Sequence, residues 1–378
     1  MHAPRTAKTR ALRVCALTML CAFAVHARAA KPAVAAPVER AAEDVPHDYR
    51  DPNFDYFVSG DPRAARAKAT HSLIALFGGG GRVDAAFSAI AKNAGGGHIV
   101  ILGAVSDDSF DPQDGHYGTS FARDWGPVTS AETIIFHNRD ASSDARVIAA
   151  IRGADGIFLR GGDQSEYVRY WKGTPVQQAL NDHVLAHRPI GGSSAGLAVL
   201  GRYSYTAMDG GSLESRTALA DPFNAGVTLE SDFLHCPWLD RTITDTHFSA
   251  RSRLGRLIAF VARINGADPA ADAVGVGVDE KTALLVDEHG VGRLAAGSAG
   301  AAWLVEVAKT PKPVAGRPLD VDDVLITRLG NDSSIELASK RVVKPSAKAN
   351  VALKDGQWTP TASIDRMMSR DVVPAGED

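Results

Sequence analysis

The chain has 378 residues, of which 45% are hydrophobic and 22% charged, which is the balance of an ordinary globular protein. Its formal net charge of −3 lacks the basic excess of a nucleic-acid-binding protein. We therefore expect a folded chain of one large or two modest domains, without nucleic acid as a partner.

The first 29 residues have the pattern of a secretory signal peptide. A basic start is followed by an apolar run at 14–25, and Ala27 and Ala29 supply the small residues of a cleavage site. This run of about 12 residues is too short for a membrane span, which needs about 20. We expect cleavage after Ala29, export to the periplasm or the medium, and no membrane anchor.

Two of the three cysteines, Cys15 and Cys21, lie in this signal peptide. Cys236 is then the only thiol expected in the mature chain, which excludes an internal disulfide and a cysteine-rich metal site there. Residues 30–70 are predicted to form an N-terminal spacer, because 30–48 are rich in Ala, Pro and charge and show little periodicity.

Residues 71–330 are predicted to form one catalytic α/β domain, because short apolar runs alternate with amphipathic stretches. Apolar strands that alternate with helices are typical of a parallel sheet covered on both faces. With right-handed crossovers, this order predicts a three-layer sandwich with a mainly parallel sheet. In chain order, the elements are a strand at 72–77, a helix at 82–93, strands at 99–102 and 133–137, a helix at 144–151, a strand at 156–159 and a helix at 177–185.

The last third of the chain has a different pattern. Strands predicted at 274–278, 283–286 and 302–307 are joined by short turns, which indicates a C-terminal β meander. Residues 331–378 are rich in Lys, Ser and Pro and are predicted to form a tail that is mostly without regular structure. The segment 105–131 is long for a loop and is predicted to be functional or disordered.

The strongest chemical signal is Gly-Gly-Ser-Ser-Ala-Gly at 191–196, directly after a short apolar run. A serine flanked by small residues between a strand and a helix is typical of a nucleophile elbow. Such a turn places the Oγ of Ser194 above the carboxyl edge of the sheet, with the Ala195 amide facing a developing oxyanion. A phosphate-binding loop or a plain turn is the alternative.

A second glycine turn, Gly-Gly-Asp-Gln at 161–164, follows the strand that ends at Leu159. At the same edge of the sheet, the amide of Gly162 is the candidate second oxyanion donor, and the Gln164 side chain is a candidate substrate contact. The alternative is a simple turn in which Asp163 caps the following helix.

A histidine among charged residues gives the third signal. A serine nucleophile needs a base, and His247 is the candidate. It follows Asp245 by two residues and precedes Arg251, Arg253 and Arg256. Clustered guanidiniums suit a ligand that bears a carboxylate. The alternative is a solvated basic face with a core histidine.

The acid that would orient this histidine lies where a predicted strand turns, at 277–283. Glu280 is the predicted third member of a triad, and Asp279 and Asp245 are rivals. A charged turn of no chemical significance is the alternative.

Metal and phosphate sites are disfavoured by the spacing of their ligands. The 12 histidines include no His-Glu-x-x-His run, and the cysteines form no pairs. The glycines at 78–81 lack the Lys-Ser/Thr that follows in a phosphate-binding loop. No metal and no cofactor are predicted.

The order Gly-Gly-Asp-Gln, Gly-Ser-Ser-Ala-Gly, Asp-x-His-Phe-Ser-x-Arg-x-Arg-x-x-Arg and Asp-Glu-x-Thr-Ala resembles the cyanophycinase and aspartyl dipeptidase family of serine peptidases, over about 72–329. The resemblance implies a fold similar to class I glutamine amidotransferases, no metal, and often a homodimer. It also implies a nucleophile at Ser194, a base at His247 and an acid at Glu280. The positions that match the family's substrate pocket are Gln164, Asp245, Arg251, Arg253 and Arg256.

The implied activity is hydrolysis of cyanophycin to β-aspartyl-arginine dipeptides. Thr246, which we also assign to the substrate pocket, stands where cyanophycinases usually carry Gln, and Arg160 stands where a hydroxyl or small residue is expected. Hydrolysis of other aspartyl or isoaspartyl peptides is therefore an alternative, and a non-catalytic binding protein on the same fold is another.

Overall fold

The structure is a computed structural model that describes residues 48–67, 69–105, 115–209, 211–307 and 312–359. The predicted signal peptide lies outside these residues. In the described part, the helices lack the length and apolar character that crossing a bilayer requires.

Strands and helices alternate in the first half of the described chain, and strands dominate the second half. The helices are α1 (Asp84–Asn93), α2 (His116–Ser120), α3 (Ala145–Gly153), α4 (Gln164–Trp171), α5 (Pro175–Leu185), α6 (Ala195–Ala198), α7 (Ser215–Ala220) and α8 (Leu254–Ala267), with a π-helical turn at Phe121–Trp125 and a 3₁₀ turn at Arg139–Ser143. The strands are β1 (Tyr49–Arg50), β2 (Phe54–Gly60), β3 (Leu73–Phe77), β4 (His98–Ala104), β5 (Ser130–Phe136), β6 (Gly156–Leu159), β7 (Ile190–Ser193), β8 (Tyr203–Tyr205), β9 (Leu229–Ser231), β10 (Thr242–Asp245), β11 (Val274–Val278), β12 (Ala283–Asp287), β13 (Val291–Leu294), β14 (Ala302–Val307), β15 (Val321–Leu329), β16 (Ser334–Glu336), β17 (Arg341–Val343), β18 (Ala347–Lys354) and β19 (Gln357–Thr359).

The first sheet has the strand order β1-β2-β5-β4-β6-β7-β3-β12-β13-β16-β17. Its central strands β5, β4, β6, β7 and β3 are parallel, as helical crossovers require. The flanking strands all pair antiparallel. The prediction of a mainly parallel sheet was therefore wrong for the sheet as a whole, because the flanking strands lack helical crossovers.

Helices cover both faces of the parallel strands. Side chains along a strand point alternately to the two faces. In β4, Ile99 and Ile101 share a buried cluster with Phe87 of α1, whereas Val100 and Leu102 share another cluster with α3 and α5. This alternation gives an α/β/α arrangement around the strands whose carboxyl ends carry the candidate site.

The second sheet has the order β19-β18-β15-β14-β11-β10-β8-β9. Helix α8 packs against one of its faces, where Leu257 and Phe260 join Trp303 of β14. The prediction of a meander was wrong, because β11 and β14 pair here while β12 between them pairs with β3 in the first sheet. The turn at 279–282 thus carries the chain from one sheet to the other.

Two segments predicted to be irregular belong to the sheets. All of β2 pairs with β5, so the spacer predicted over 30–70 was wrong for this part. In the predicted tail, β16, β17, β18 and β19 all pair, and Val351 and Leu353 are buried. These are strands near sheet edges that bury only part of their side chains, so their polar residues hid the pattern. Residues 360–378 lie outside the described chain.

The long segment predicted at 105–131 contains ordered structure after its first part. Residues 106–114 lie outside the described chain, but α2 and the π-helical turn follow directly. The turn buries Phe121 and Trp125 against Phe87, whose ring stacks on Trp125 at 3.9 Å between centroids. This part of the predicted insert therefore covers one face of the first sheet.

Leu353→Ala should lower the free energy of unfolding by about 2–5 kcal/mol, because it leaves a cavity under the second sheet. Its side chain is fully buried. The neighbouring Lys354→Ala is the control, since Lys354 is exposed and its ion pair to Asp322 lies on the surface. Urea unfolding of both variants measures the difference. Equal stability of the two would contradict the assignment of β18 to the core.

Candidate active site

Ser194 lies at the junction of β7 and α6, in a strained backbone conformation with φ 52° and ψ −116°. The junction leaves no room for larger neighbours. A Cβ on Gly192 would lie 2.4 Å from the backbone of Gly196, and one on Gly196 would lie 2.2 Å from the Leu159 carbonyl oxygen. Close packing of β7, α6 and β6 therefore fixes the serine on a tight elbow at the carboxyl edge of the parallel strands.

A chain of two short hydrogen bonds joins three side chains from distant segments. The Oγ of Ser194 lies 2.7 Å from Nε2 of His247. The Nδ1 of His247 lies 2.6 Å from Oε1 of Glu280. This is the arrangement of a serine, a base and an orienting acid, with each imidazole nitrogen assigned one partner.

Asp279, which directly precedes Glu280 in the sequence, has a structural role. It is buried, and its Oδ1 accepts hydrogen bonds from the amide and hydroxyl of Ser249 and from the indole of Trp303. Its Oδ2 accepts from the Ala301 amide. Burial raises the pKa of Asp279, and these hydrogen bonds oppose the rise. Asp279 therefore anchors the turn that presents Glu280 to the histidine.

The turn after β3 holds all three segments of the candidate triad by backbone hydrogen bonds. The amide of Ser194 donates to the carbonyl of the last β3 residue at 3.1 Å. The amide of His247 donates to Gly78, and the amide of Lys281, next to the acid, donates to Gly79, each at 2.8 Å. One short stretch of backbone thereby sets where the nucleophile, the base and the acid stand relative to each other.

The same turn requires glycine for steric reasons. A Cβ on Gly79 would lie 2.6 Å from the His247 ring, and a Cβ on Gly80 would lie 2.5 Å from the carboxyl carbon of Glu280. Both glycines also have positive φ, at 88° and 69°. Sequence reasoning took these glycines as a turn that lacks the residues of a phosphate-binding loop, although four consecutive glycines after a strand were a visible signal of close approach.

A cavity of about 240 Å³ opens beside Ser194. A larger cavity of about 460 Å³ lies beside β2 and α2 and contains none of the predicted site residues, so it is not the candidate site. The smaller cavity holds the second glycine turn, the nucleophile and the charged cluster. Its lining consists of Gly162, Asp163, Gln164, Ser194, Ala198, Tyr205, Ala207, Gly211, Ser212, Thr244, Asp245, Thr246, Arg251, Arg253 and Arg256.

Two of the predicted substrate contacts, Asp245 and Arg256, bind each other. The Nε and Nη2 of Arg256 donate to the two oxygens of Asp245 at 2.7 and 2.5 Å. Both side chains are buried, and the guanidinium also lies 5.0 Å from the ring centroid of Tyr205. This bidentate pair forms part of the cavity wall and excludes Asp245 as the acid of the triad.

Arg253 is held by Thr246 and Ser212, and its Nη1 also lies 3.5 Å from Oδ1 of Asp245. Its Nη1 donates to the carbonyl and hydroxyl oxygens of Thr246 at 2.9 and 2.8 Å, and its Nη2 donates to Ser212 at 2.9 Å. Burial lowers the pKa of Arg253 to about 10, which leaves it charged at neutral pH. Arg251 is exposed on the same cavity, and its side chain makes no described hydrogen bond or ion pair. The cationic donors open to a ligand are therefore Arg251 and the remainder of Arg253.

Tyr205 and Ser212 are site residues that sequence reasoning missed. The hydroxyl of Tyr205 donates to the carbonyl of Gly211 at 2.9 Å and accepts from the Leu213 amide at 3.0 Å, which holds the loop that carries Ser212. The carbonyl of Tyr205 accepts from Nε2 of Gln164 at 3.5 Å. The sequence around them carries no motif that would have identified them.

Of the predicted oxyanion donors, Ala195 directly follows the nucleophile and Gly162 lines the same cavity. Ala195 is the first residue of α6, and Gly162 lines the cavity next to Gly161, where a Cβ would lie 3.5 Å from that of Ser194. Arg160 does not line the cavity, since its side chain packs over Gly103. In the described part of the chain, no group of three His, Cys, Asp or Glu side chains is placed to hold a metal ion.

Comparison with known proteins identifies relatives of this chain. A family model described as Peptidase family S51 matches residues 113–294. The chain is 28% identical to a cyanophycinase from Trichormus variabilis over 216 residues, which cover 56% of this chain and 67% of that protein. It is 30% identical to a cyanophycinase from Synechococcus elongatus over 201 residues, 53% and 57% of the two chains.

Two solved structures are also similar at low identity. A peptidase from an acI-B1 actinobacterium has a TM-score of 0.41 and 14% identity, covering 75% of this chain and 98% of that chain. A putative peptidase E protein from Listeria monocytogenes has a TM-score of 0.36 and 13% identity, covering 57% and 95%.

Gly79→Ala should reduce kcat by roughly 100-fold or more, because the added methyl displaces the His247 ring from its hydrogen bond to Ser194. Gly297→Ala is the matched control, since Gly297 also has a positive φ, of 81°, but has open space around its Cβ position. Steady-state kinetics and thermal melting compare the two variants. A Gly79→Ala enzyme with normal kcat would show that the turn does not set the triad geometry.

The acid limb of kcat/KM should lie below pH 6.5, the ordinary pKa of histidine. Burial lowers the pKa of His247, the Glu280 hydrogen bond opposes this, and the charges of Arg251 and Arg253 lower the pKa further. The neutral imidazole is the base, so a lowered pKa keeps it neutral, and the enzyme active, at lower pH.

Arg251→Gln should therefore move this limb to higher pH, because it removes a cation that opposes protonation of His247. Arg293→Gln is the control, since Arg293 lies on β13 and does not line the cavity. A pH profile in which both variants keep the wild-type limb would refute this electrostatic coupling.

Proposed function

A model of peptidase family S51 matches residues 113–294, and from this premise we propose that the chain is a serine peptidase of that family that hydrolyses cyanophycin, multi-L-arginyl-poly-L-aspartate, to β-aspartyl-arginine dipeptides. The observation that carries the proposal is the unbroken hydrogen-bond chain from Ser194 through His247 to Glu280, at a cavity with open guanidinium donors. The curated relatives named as cyanophycinases support the choice of polymer.

In the proposed reaction, the Oγ of Ser194 attacks the backbone carbonyl of an aspartyl residue, and Nε2 of His247 accepts the hydroxyl proton. The carbonyl oxygen becomes an oxyanion that accepts hydrogen bonds from the amides of Ala195 and Gly162. Glu280 accepts a hydrogen bond from Nδ1–H of His247 and stabilises the imidazolium. The histidine then gives its proton to the departing amine, which leaves an acyl-enzyme.

Hydrolysis completes the cycle through the same groups. A water molecule gives a proton to the neutral His247 and attacks the acyl carbon. The tetrahedral intermediate collapses, and the proton returns to the Oγ of Ser194 as the carboxylate product leaves. Every proton is thus moved by one imidazole, whose lowered pKa keeps it neutral between the two steps.

The charges of the substrate unit match those of the cavity. In an internal unit of the polymer, the aspartyl α-carboxyl forms the backbone amide and the β-carboxyl forms the amide to arginine, so the free carboxylate of the unit belongs to the arginine. Arg251 and the remaining donors of Arg253 are the groups that would bind this carboxylate, because Arg256 is committed to Asp245.

The proposal includes the export predicted from residues 1–29, since an intact polymer cannot enter a cell. It also includes a fold of the class I glutamine amidotransferase kind. The elbow at the carboxyl end of β7, between the parallel neighbours β6 and β3, supports this class. A homodimer stays a prediction.

A second candidate is hydrolysis of other aspartyl or isoaspartyl peptides. It is favoured by the pairing of Asp245 with Arg256, because Arg251 and Arg253 then give the cavity an excess of positive charge that suits free carboxylates. Thr246, in place of the usual Gln, shortens the side chain that faces this cavity.

Incubation of the protein with cyanophycin should release β-aspartyl-arginine, and Ser194→Ala should reduce this release by several orders of magnitude, as losses of a triad nucleophile do. Mass spectrometry of the soluble products measures both. Equal release from the two proteins would remove Ser194 as the nucleophile. No release from either, with a serine-directed probe still labelling Ser194, would discard cyanophycin and favour the short peptides.

A further inference from the structure

The cavity beside the nucleophile is lined by side chains of both charges. Five charged side chains line it: Asp163, Asp245, Arg251, Arg253 and Arg256. Asp245 binds Arg256 through two hydrogen bonds at 2.7 and 2.5 Å, and its Oδ1 also lies 3.5 Å from Nη1 of Arg253. Because this single carboxylate lies against two guanidiniums, Arg251 and Arg253 still leave an excess of positive charge, and Asp163 is the lining carboxylate without a described ion pair.

Asp163 is placed to contact a ligand with one of its two carboxylate oxygens. It precedes α4, and its Oδ1 accepts a hydrogen bond from the Ser165 amide at 2.8 Å, which caps the helix. Its Oδ2 makes no described hydrogen bond or ion pair, and the residue is exposed. It lies two residues from Gly161, where a Cβ would be 3.5 Å from that of Ser194. The carboxylate therefore stands on the cavity near the reacting serine.

We propose that Asp163 is a specificity-determining residue that binds the guanidinium of the arginine carried by the substrate. This inference rests on the proposed function. Because one oxygen caps the helix, the other accepts a single charge-assisted hydrogen bond rather than a full bidentate pair. The β-aspartyl-arginine unit carries one carboxylate and one guanidinium, and the cavity offers the two arginines to the former and Asp163 to the latter.

Asp163 also distinguishes between the two candidate substrates. A peptide with free aspartyl carboxylates places negative charge in a cavity that already contains this carboxylate, and like charges repel. A peptide whose β-carboxyls carry arginine places a cation there instead. Asp163 thus favours the arginyl polymer and opposes short acidic peptides. Without Asp163, the excess positive charge of the cavity would also favour binding of those acidic peptides.

The competing explanation is that Asp163 serves only as the cap of α4. Asn caps helices about as well as Asp, so Asp163→Asn removes the charge and keeps the cap. Asp144→Asn is the matched control, because Asp144 caps α3 by accepting from the Arg146 amide at 2.8 Å and does not line the cavity.

The test uses three short poly-aspartate peptides whose β-carboxyls carry arginine, carry citrulline, or are free. Citrulline has nearly the shape of arginine without its charge. The wild type should prefer the arginine peptide over the citrulline peptide in kcat/KM by on the order of tenfold to a hundredfold. Asp163→Asn should lose most of this preference, cleave the citrulline peptide as the wild type does, and cleave the free peptide faster. Asp144→Asn should keep the wild-type pattern.

Two results would overturn the assignment in distinguishable ways. If the wild type cleaves the arginine peptide and Asp163→Asn retains the full preference over citrulline, Asp163 is a cap only and the proposed function stands. If the wild type cleaves neither the arginine nor the citrulline peptide while a serine-directed probe labels Ser194, the proposed function and this assignment fall together.

Discussion

The backbone of the glycine turn after β3 is the constraint on which the geometry of the proposed triad depends. Its carbonyls and that of the preceding residue accept from the amides of Ser194, His247 and Lys281, three segments that are far apart in sequence. The side chains then need only short reaches to form the 2.7 and 2.6 Å hydrogen bonds of the triad. Side chains on this turn would displace the imidazole and the carboxylate. Glycine, which has no side chain, therefore allows the site to be preorganised.

Strong local patterns made part of this molecule predictable from sequence. The apolar runs that became β3, β4 and β6 are buried on both faces, and the elbow at 191–196 needs only local backbone chemistry to be recognised. Strands near the sheet edges, such as β2 and β18, bury only part of their length and were predicted as spacer and tail. The sequence also does not show the order of strands in the sheet. That the glycine turn after β3 lies next to the elbow after β7 was therefore not predicted.

The roles of the charged residues depend on tertiary contacts that the sequence motifs do not show. Glu280 and Asp279 are adjacent acids on one turn. Asp279 anchors this turn because Ser249 and Trp303, which are distant in sequence, donate hydrogen bonds to its carboxylate. The arginine cluster illustrates the same limit, because spacing cannot tell a guanidinium that meets substrate from one bound to Asp245. The free-energy cost of burying a charge decides which of these side chains are paired inside the protein, since a buried charge must be paired.

The proposed triad combines side chains from both sheets. Ser194 follows β7 of the first sheet, His247 follows β10 of the second, and Glu280 lies on the connection between β11 and β12, where the chain passes from the second sheet to the first. A partly folded chain with only one sheet in place would lack a complete set of catalytic groups. On this proposal, hydrolysis requires the finished fold, and a nascent chain gains its full set of catalytic groups when its two sheets have docked.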